Sequence, residues 1–178
     1  MDDAAWREDV LAERAWREAL YRGPDSPLSP GAKAAFEGLA WWPPDPAYRL
    51  RGVRLARHPA PRSAALAATG DDALTFVEVG TLAFRLRGHA CALRAFEPAP
   101  GETDEAYLFV PFKDATSGRD TYAGGRYLDL EPRADDAYEV DLNRAYHPYC
   151  AFDDAWSCTL PPPENALALA VEAGERLP

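Results

Sequence analysis

The chain has few lysines and an excess of acidic residues, and this shortage of positive charge excludes two kinds of partner. Only Lys33 and Lys113 are lysines, and 19 basic side chains stand against 29 acidic ones, which gives a formal net charge of -10. A protein with this average field repels phosphate backbones and anionic lipid surfaces. We therefore expect neither nucleic acid nor a membrane as a partner.

Long apolar runs and export signals are also missing. No stretch approaches the 18 apolar residues that a membrane-spanning helix requires, and the segment from Met1 to Asp9 has neither a basic nor an apolar region. We expect a cytoplasmic protein. The chain has 3 cysteines, and an odd number without an export signal favours reduced thiols over a disulfide framework.

The common enzyme signatures are absent as well: the chain has no GxSxG, Walker, GxGxxG or HExxH motif. What remains is ordinary globular composition, with 47% hydrophobic and 27% charged residues over 178 positions. This length fits one domain that buries its own core. We divide residues 1–178 into a helical arm with a proline-rich lead-in (1–46) and a β-rich body (47–178).

The arm contains two predicted helices. The first runs from Asp3 to Tyr21, and Asp2 or Asp3 can cap it. Trp6, Val10, Trp16, Leu20 and Tyr21 lie on one flank that Glu13 and Arg17 interrupt. Ser29 and Pro30 supply an N-cap and a first-turn proline for a second helix that ends near Leu39. The segment from Trp41 to Pro46 is too rich in proline to extend it.

The body consists of short strand-like runs separated by turn residues. Turns are predicted at Gly70-Asp71-Asp72 and at Arg87-Gly88-His89, and no long helical pattern separates successive strands. The fold class is therefore mainly β, an antiparallel β-barrel or sandwich with an N-terminal helical arm. The last predicted strand, Ala166 to Val171, could instead be helical, because alanine and leucine both favour helix. The predicted strands are Tyr48 to Leu55, Ala64 to Ala68, Leu74 to Val79, Thr81 to Leu86, Cys91 to Phe96, Tyr107 to Phe112, Ala137 to Leu142 and Ala166 to Val171.

The first segment that resembles a site runs from Asp114 to Arg126. Asp114 and Thr116 suit an Asx-type turn, and Thr121 and Tyr122 add hydroxyl groups a few residues later. This pattern fits a ligand site and equally a well-made hairpin. Arg126 could clamp a carboxylate or a phosphate through two parallel hydrogen bonds, or it could form a salt bridge with Asp114 or Asp141.

The second such segment runs from Asp141 to Cys150. On an extended segment Asp141 and Asn143 would face the same side, and Tyr146 lies nearby. His147 titrates near neutral pH when unperturbed, so it could act as a general base, or it could be a structurally hydrogen-bonded histidine.

Cys150 and Cys158 admit three interpretations: buried thiols, a redox pair, or ligands of a metal together with His147 and residues of an earlier hairpin, His89 and Cys91. The seven residues between Cys150 and Cys158 match no standard zinc spacing. The pair Trp41-Trp42 is either a docking surface for another protein or part of the core.

Several longer motifs run along the chain. They are Pro111 to Tyr127, Asn143 to Ala151, Cys158 to Asn165 and Ala173 to Glu175, preceded by Ser26-Pro-Leu28, Phe36 to Leu39 and Asp45 to Tyr48. Taken together, they resemble the bacterial and archaeal family known as domain of unknown function 1684 along nearly the whole chain, although His147 and Thr159 stand where that family usually has Asn and Pro. The resemblance implies a shared β-rich fold and a shared site, but no activity.

The leading hypothesis is a pocket for a small polar or anionic molecule. Arg126 would hold the anionic group, and hydrolysis or proton transfer would use Asp114 or Asp141 as the base. The alternatives are a metal or redox site at Cys150 and Cys158 and a protein-interaction module. The sequence specifies neither a cofactor nor an oligomeric state. The predicted pocket residues are Asp114, Thr116, Thr121, Tyr122, Arg126, Asp141, Asn143 and Tyr146, with His147 beside them.

Overall fold

A computed structural model describes residues 2–64, 66–70 and 75–178. Two helices, α1 (Asp3–Arg22) and α2 (Pro30–Ala35), precede a body of strands. The strands are β1 (Ala40–Trp41), β2 (Arg49–Ala64), β3 (Phe76–Leu86), β4 (His89–Pro98), β5 (Leu108–Phe112), β6 (Arg126–Leu130), β7 (Ala137–Asp141) and β8 (Glu175–Arg176).

Six of these strands form one antiparallel sheet in the order β6-β5-β4-β3-β2-β7, which curves into a half-barrel. The short strands β1 and β8 pair with each other outside it and tie the lead-in to the C-terminal residues. The predicted fold class is confirmed: the protein is mainly β, its sheet is antiparallel and an N-terminal helix precedes it.

Helix α1 begins as the sequence predicts, because the Asp2 side chain accepts a hydrogen bond from the Ala5 amide at 2.9 Å. Its buried side chains are Trp6, Val10, Arg14 and Tyr21, whereas Trp16 is 62% exposed and lies away from that face. An arginine therefore occupies the buried stripe. No helix among the described residues is long and apolar enough to cross a bilayer.

Two strands are longer than predicted because bulges carry them past turn-forming residues. β2 continues through Pro59 and Pro61, where its register with β3 shifts between Arg57 and Arg62. β3 continues through Gly80, where a Cβ atom would lie 2.5 Å from the Ala56 carbonyl oxygen. The predicted strand from Ala64 to Ala68 is wrong in its described part, since Ala65 lies outside the described residues: Ala64 ends β2, and Ala68 forms an isolated bridge with Thr159.

The two predicted hairpin turns differ in outcome. Arg87 and Gly88 form the tight turn between β3 and β4, with φ of 48° and 84°, which is the left-handed geometry of a two-residue hairpin loop. Asp71 and Asp72 of the other turn, and Leu74 of the predicted strand, lie outside the described residues.

Near the C-terminus the prediction from Ala166 to Val171 is wrong, and β6 was not predicted. Apolar residues alternate in the C-terminal segment as they do in a strand. Its backbone, however, forms hydrogen bonds with the turn after β5 and not with a neighbouring strand. The Leu167 amide donates to the Lys113 carbonyl at 2.8 Å, and the Ala115 amide donates to the Leu169 carbonyl at 3.1 Å. The segment therefore runs through the open side of the half-barrel.

Each face of the sheet carries its own apolar cluster. Inward-facing side chains of the strands and of the C-terminal segment form the main core, which includes Leu93, Val110, Leu128 and Val171. The outer face carries an aromatic layer of Phe76, Phe96, Phe109 and Tyr127. Residues 66–70, which pair with residues 157–160, pack at this outer layer.

Candidate functional site

The segments predicted to hold the site lie at the open side of the half-barrel, where the C-terminal segment is threaded. β5 and β6 pair with Phe112 opposite Arg126, so the turn after β5 brings Asp114 beside the Arg126 guanidinium. One Nη of Arg126 lies 2.8 Å from an Asp114 carboxylate oxygen, and both side chains are at most 1% exposed. The salt-bridge interpretation of Arg126 is therefore confirmed.

Arg126 also holds the C-terminal segment. Its two terminal nitrogens donate to the carbonyl oxygens of Val171 at 2.8 Å, Ala173, and Glu175 at 3.1 Å. Burial lowers the pKa of Arg126, and the Asp114 carboxylate opposes that shift. Four of its five donors are used by the protein itself, which leaves Nε as the one without a partner among the described residues.

Asp114 is saturated in the same way. Its second oxygen accepts from the Thr116 amide at 2.8 Å, the Thr116 hydroxyl at 2.6 Å and the Val171 amide at 3.2 Å. The Thr121 hydroxyl lies 3.0 Å from that of Thr116. Asp114, Thr116, Thr121 and Arg126 thus form one buried network, as the sequence predicts, and that network binds the chain's own backbone.

Asp141 and Asn143 form a second buried group. Asn143 lies in a 3-10 turn and not on an extended segment. Its side-chain nitrogen and its backbone nitrogen nevertheless both donate to the Asp141 carboxylate, at 2.8 and 3.1 Å. The other Asp141 oxygen accepts from the Trp6 indole at 2.7 Å, and Asn143 pairs with the Asp45 backbone through both its amide oxygen and its amide nitrogen. This group fastens α1 and the lead-in to β7.

His147 and Tyr122 belong to a third group, joined by Glu175. His147 is 1% exposed, and its Nε2 accepts from the Tyr122 amide at 3.2 Å. Its Nδ1 lies 3.3 Å from the fully buried Glu175 carboxylate, which also accepts from the His147 amide at 3.1 Å. Nδ1 is therefore the nitrogen that carries the proton in the neutral ring. These contacts fit the interpretation of His147 as a structurally hydrogen-bonded histidine.

A small crevice opens between α1 and the segment after β7. It has a volume of about 10 Å³, room for one water-sized group. Predicted residues Asn143 and Tyr146 line it, whereas Asp114, Arg126 and His147 do not. The remaining lining residues are Val10, Glu13, Arg14, Arg17, Trp41 and Arg144.

Arg14 and Arg17 are the functional candidates that sequence reasoning missed. Arg14 is 8% exposed, and its guanidinium lies over the Trp41 ring at 4.7 Å. Arg17 lies over the Tyr146 ring at 4.0 Å. The Nε atoms of both have no hydrogen-bond partner in the described part of the chain. The available signal was Arg14 itself, which follows Trp6 and Val10 at intervals of four on the apolar stripe.

The tryptophan pair is half buried. Trp41 lies in β1 under Arg14, and Trp42 lies 5.5 Å from the Arg126 guanidinium. Trp41 therefore packs against Arg14, and Trp42 packs against Arg126.

Cys150 and Cys158 are neighbours in the fold. The Cys150 amide donates to the Cys158 sulfur at 3.4 Å, and both cysteines are free. In the residues that the structure covers, no group of three or more His, Cys, Asp or Glu side chains could hold a metal ion. Cys91 lies on the inner face of the sheet, so the hairpin does not contribute ligands to this pair.

A larger cavity, of about 320 Å³, lies at the loop between β4 and β5. Glu97, Asp104 and Glu105 give it an acidic wall, and Tyr107 and Tyr138 contribute aromatic surface. Burial raises the pKa of Tyr107 to about 12. None of the predicted site residues lines this cavity.

Comparison with known proteins agrees with the sequence motifs. A family model described as "Protein of unknown function (DUF1684)" matches residues 34–176. A solution NMR structure of an uncharacterized protein from Haloarcula marismortui is 39% identical, with a TM-score of 0.76 over 99% of this chain and 98% of that one. The search of curated proteins found no match. The chain therefore belongs to the DUF1684 family.

Proposed function

We propose that the protein binds a small anion in the crevice between α1 and the segment from Asn143 to Tyr146. The observation that carries this proposal is the state of Arg14. A guanidinium this deeply buried is normally paired with a carboxylate or another anion, because an uncompensated buried charge is costly. Arg14 has no carboxylate within ion-pair distance among the described residues.

The partners of Arg14 are two backbone carbonyls. Its terminal nitrogens donate to the oxygens of Trp42 at 2.7 Å and Asn143 at 2.8 Å. Burial lowers the pKa of Arg14 to about 10, so the group is still charged at neutral pH. Asp141 and Glu13 raise the pKa from a distance, but neither neutralises the guanidinium by contact.

The surroundings limit what the anion can be. Space for one water-sized group admits a halide or a single oxygen of a carboxylate, with the rest of a larger ligand left in solvent. The Nε of Arg14 has no partner among the described residues, and an N-H group favours an acceptor in the crevice that Arg14 lines. The Nε of Arg17 lies 3.7 Å from the Glu175 carboxylate, so Arg17 is already paired. The exposed pairs of Arg144 with Asp9 and Glu13 form the outer rim.

This proposal keeps the small anionic ligand that the sequence suggests and moves its anchor from Arg126 to Arg14. Asn143 and Tyr146 remain part of the site. The hydrolytic alternative gains no support, because the oxygens of Asp114 and Asp141 are taken up by protein donors. It stays a prediction. The acidic cavity near Tyr107 would repel an anion and suits it poorly.

Stability measured against anion concentration tests the proposal. The thermal midpoint should rise when sodium chloride or sodium formate is added to a zwitterionic buffer, and by more than in an Arg14 variant at the same ionic strength. An anion present at a hundred times its Kd stabilises a protein by about 2.7 kcal/mol. Comparison of chloride with formate shows whether the site takes a halide or a carboxylate, because only the ion that fits should raise the thermal midpoint at millimolar concentration.

Two variants on the same helix give the matched comparison. Arg14→Gln should abolish the anion-dependent rise, because the charged donor is gone. Arg7→Gln is the control, because Arg7 also donates to a backbone carbonyl, that of Pro44 at 2.9 Å, but from an exposed position. Equal anion responses in wild type, Arg14→Gln and Arg7→Gln would contradict the proposal.

A further inference from the structure

A second candidate site begins at Cys150, three residues after His147, where the fold brings two thiols together. Cys150 lies in the 3-10 turn Tyr149–Ala151, and Cys158 lies in the segment that crosses the outer aromatic layer. The Cys150 amide donates to the Cys158 sulfur at 3.4 Å. Eight positions of sequence therefore close into a loop whose two ends touch.

Solvent reaches one side of this pair. Cys158 is half buried, and the exposed Thr69 contacts it through two hydrogen bonds. The Cys158 amide donates to the Thr69 hydroxyl at 2.8 Å, and the Thr69 amide donates to the Cys158 carbonyl at 2.9 Å. We expect a small molecule to reach the pair from the Cys158 side, because Cys150 is only 8% exposed.

The neighbouring side chains favour the thiolate form of Cys150. Interaction with the Cys158 thiol lowers the pKa of Cys150 to about 6, and the Tyr122 and Thr69 side chains act in the same direction. The pKa of Cys158 is raised in turn, because its proton is held by Cys150. Burial raises the pKa of Tyr122 to about 12, so its hydroxyl keeps the proton that it donates.

We propose that Cys150 and Cys158 are a redox pair that hydrogen peroxide converts to a disulfide. The Cys150 thiolate attacks one peroxide oxygen, so that an S-O bond forms, the O-O bond breaks and hydroxide leaves. The sulfur is oxidised to a sulfenic acid and the peroxide is reduced. The departing hydroxide takes the proton of the Cys158 thiol and becomes water.

The second step closes the disulfide. The Cys158 thiolate attacks the Cys150 sulfur, the S-S bond forms, the S-O bond breaks, and the hydroxide that leaves takes a proton from solvent. A small dithiol reverses the reaction by exchange and is itself oxidised to a disulfide. The bond would fasten the 3-10 turn to residues 157–160, which hold residues 66–70 over the aromatic layer.

Peroxide treatment followed by peptide mass spectrometry tests this site, and it does so independently of the anion site. We expect a peptide pair joined through Cys150 and Cys158, lost on treatment with dithiothreitol, while Cys91 stays reduced as the internal control. Oxidation of Cys91 at the same rate, or no joined peptide pair at peroxide concentrations that oxidise free cysteine, would overturn the proposal.

Single variants assign the two roles. In Cys158→Ser the sulfenic acid should accumulate on Cys150 and be captured by dimedone, whereas Cys150→Ser should give no dimedone adduct. Dimedone labelling of Cys158 in Cys150→Ser, at the rate seen for Cys150 in Cys158→Ser, would contradict this assignment. Wild-type disulfide mapping still decides the question where a variant folds poorly.

The pH dependence of alkylation at Cys150 distinguishes an activated thiolate from a purely structural thiol pair. The rate of alkylation of wild type by iodoacetamide at Cys150 should be half-maximal near pH 6. Tyr122→Phe removes one donor and should move this midpoint to higher pH. A wild-type midpoint near the ordinary thiol pKa of about 8.5 would contradict the role given to the donors around Cys150.

Discussion

Arg126 and Arg14 are both buried arginines at the open side of the half-barrel, and they differ in what their guanidinium groups contact. Arg126 has a carboxylate at 2.8 Å and three carbonyls of the C-terminal segment. Arg14 has two carbonyls, no carboxylate within ion-pair distance among the described residues, and a crevice beside it, whereas an Nε without a hydrogen-bond partner is common to both. The difference teaches that burial alone does not mark a binding arginine. The guanidinium that has no carboxylate partner is the one that can bind an anion.

The largest effect should come from breaking the buried pair. Arg126→Ala leaves the Asp114 carboxylate uncompensated in the core, and loss of one partner of a buried ion pair costs about 3–5 kcal/mol. Urea unfolding at pH 7 measures the loss. Arg119→Ala is the control on the neighbouring loop, because the pair of Arg119 with Asp120 is exposed. A loss from Arg126→Ala no larger than that from Arg119→Ala would mean that Arg126 is not structural.

The next effect tests the C-terminal segment that Arg126 holds. Gly174 has φ of 79°, and a Cβ atom there would lie 2.5 Å from the Ala145 carbonyl oxygen and 2.8 Å from that of Leu142. Gly174→Ala should lower the free energy of unfolding by about 2–3 kcal/mol through strain and overpacking. Gly31→Ala is the matched change, because a Cβ atom there meets nothing within 4 Å. A Gly174→Ala protein as stable as wild type would contradict the threaded path of this segment.

Arg14→Gln should have a smaller effect on stability in anion-free buffer. The variant loses charge-assisted hydrogen bonds to Trp42 and Asn143, which costs about 1–3 kcal/mol, and a glutamine amide recovers part of that. The free energy of unfolding with and without chloride separates this structural part from binding. If the Arg14→Gln loss equals that of Arg126→Ala in every buffer, the contrast between the two arginines fails.

The smallest effect is expected at Arg7. Its side chain donates to the Pro44 carbonyl from the exposed face of α1, so Arg7→Gln should change the free energy of unfolding by no more than about 0.5 kcal/mol. Thermal unfolding in two anions checks this. A large or anion-dependent change would show that α1 responds to charge in general and not to charge at the crevice.

Local patterns predicted the elements that residue type and period mark by themselves, even where the strand partner is distant, as it is for β7 and β2. The cap at Asp2, the turn at Arg87-Gly88 and the strands β4, β5 and β7 follow from residue type and period. The strand predicted from Ala166 to Val171 failed because alternation does not show whether a neighbouring strand is present, and this backbone bonds to Lys113 and Ala115 in the turn after β5. β6 was missed because the turn-rich residues before it concealed the start at Arg126.

The candidate site was predictable only in part, for a similar reason. The sequence groups Asp114, Thr116, Thr121 and Arg126 correctly, since one hairpin carries them all. It does not show that the carbonyls of Val171 and Ala173 occupy Arg126, because those residues are more than 40 positions away. Nor does it join Arg14 of α1 to Asn143. Helix α1 lies before residues 34–176, the region that the family model matches, so that region does not include Arg14.

Diffraction from crystals soaked in sodium bromide tests the central claim most directly, because anomalous scattering locates bromide without assumption. The account predicts a bromide peak in the crevice, within hydrogen-bond distance of Arg14 Nε, that is retained in Arg7→Gln and absent in Arg14→Gln. A peak at Arg126 and none at Arg14, or only an ordered water in the crevice, would contradict it.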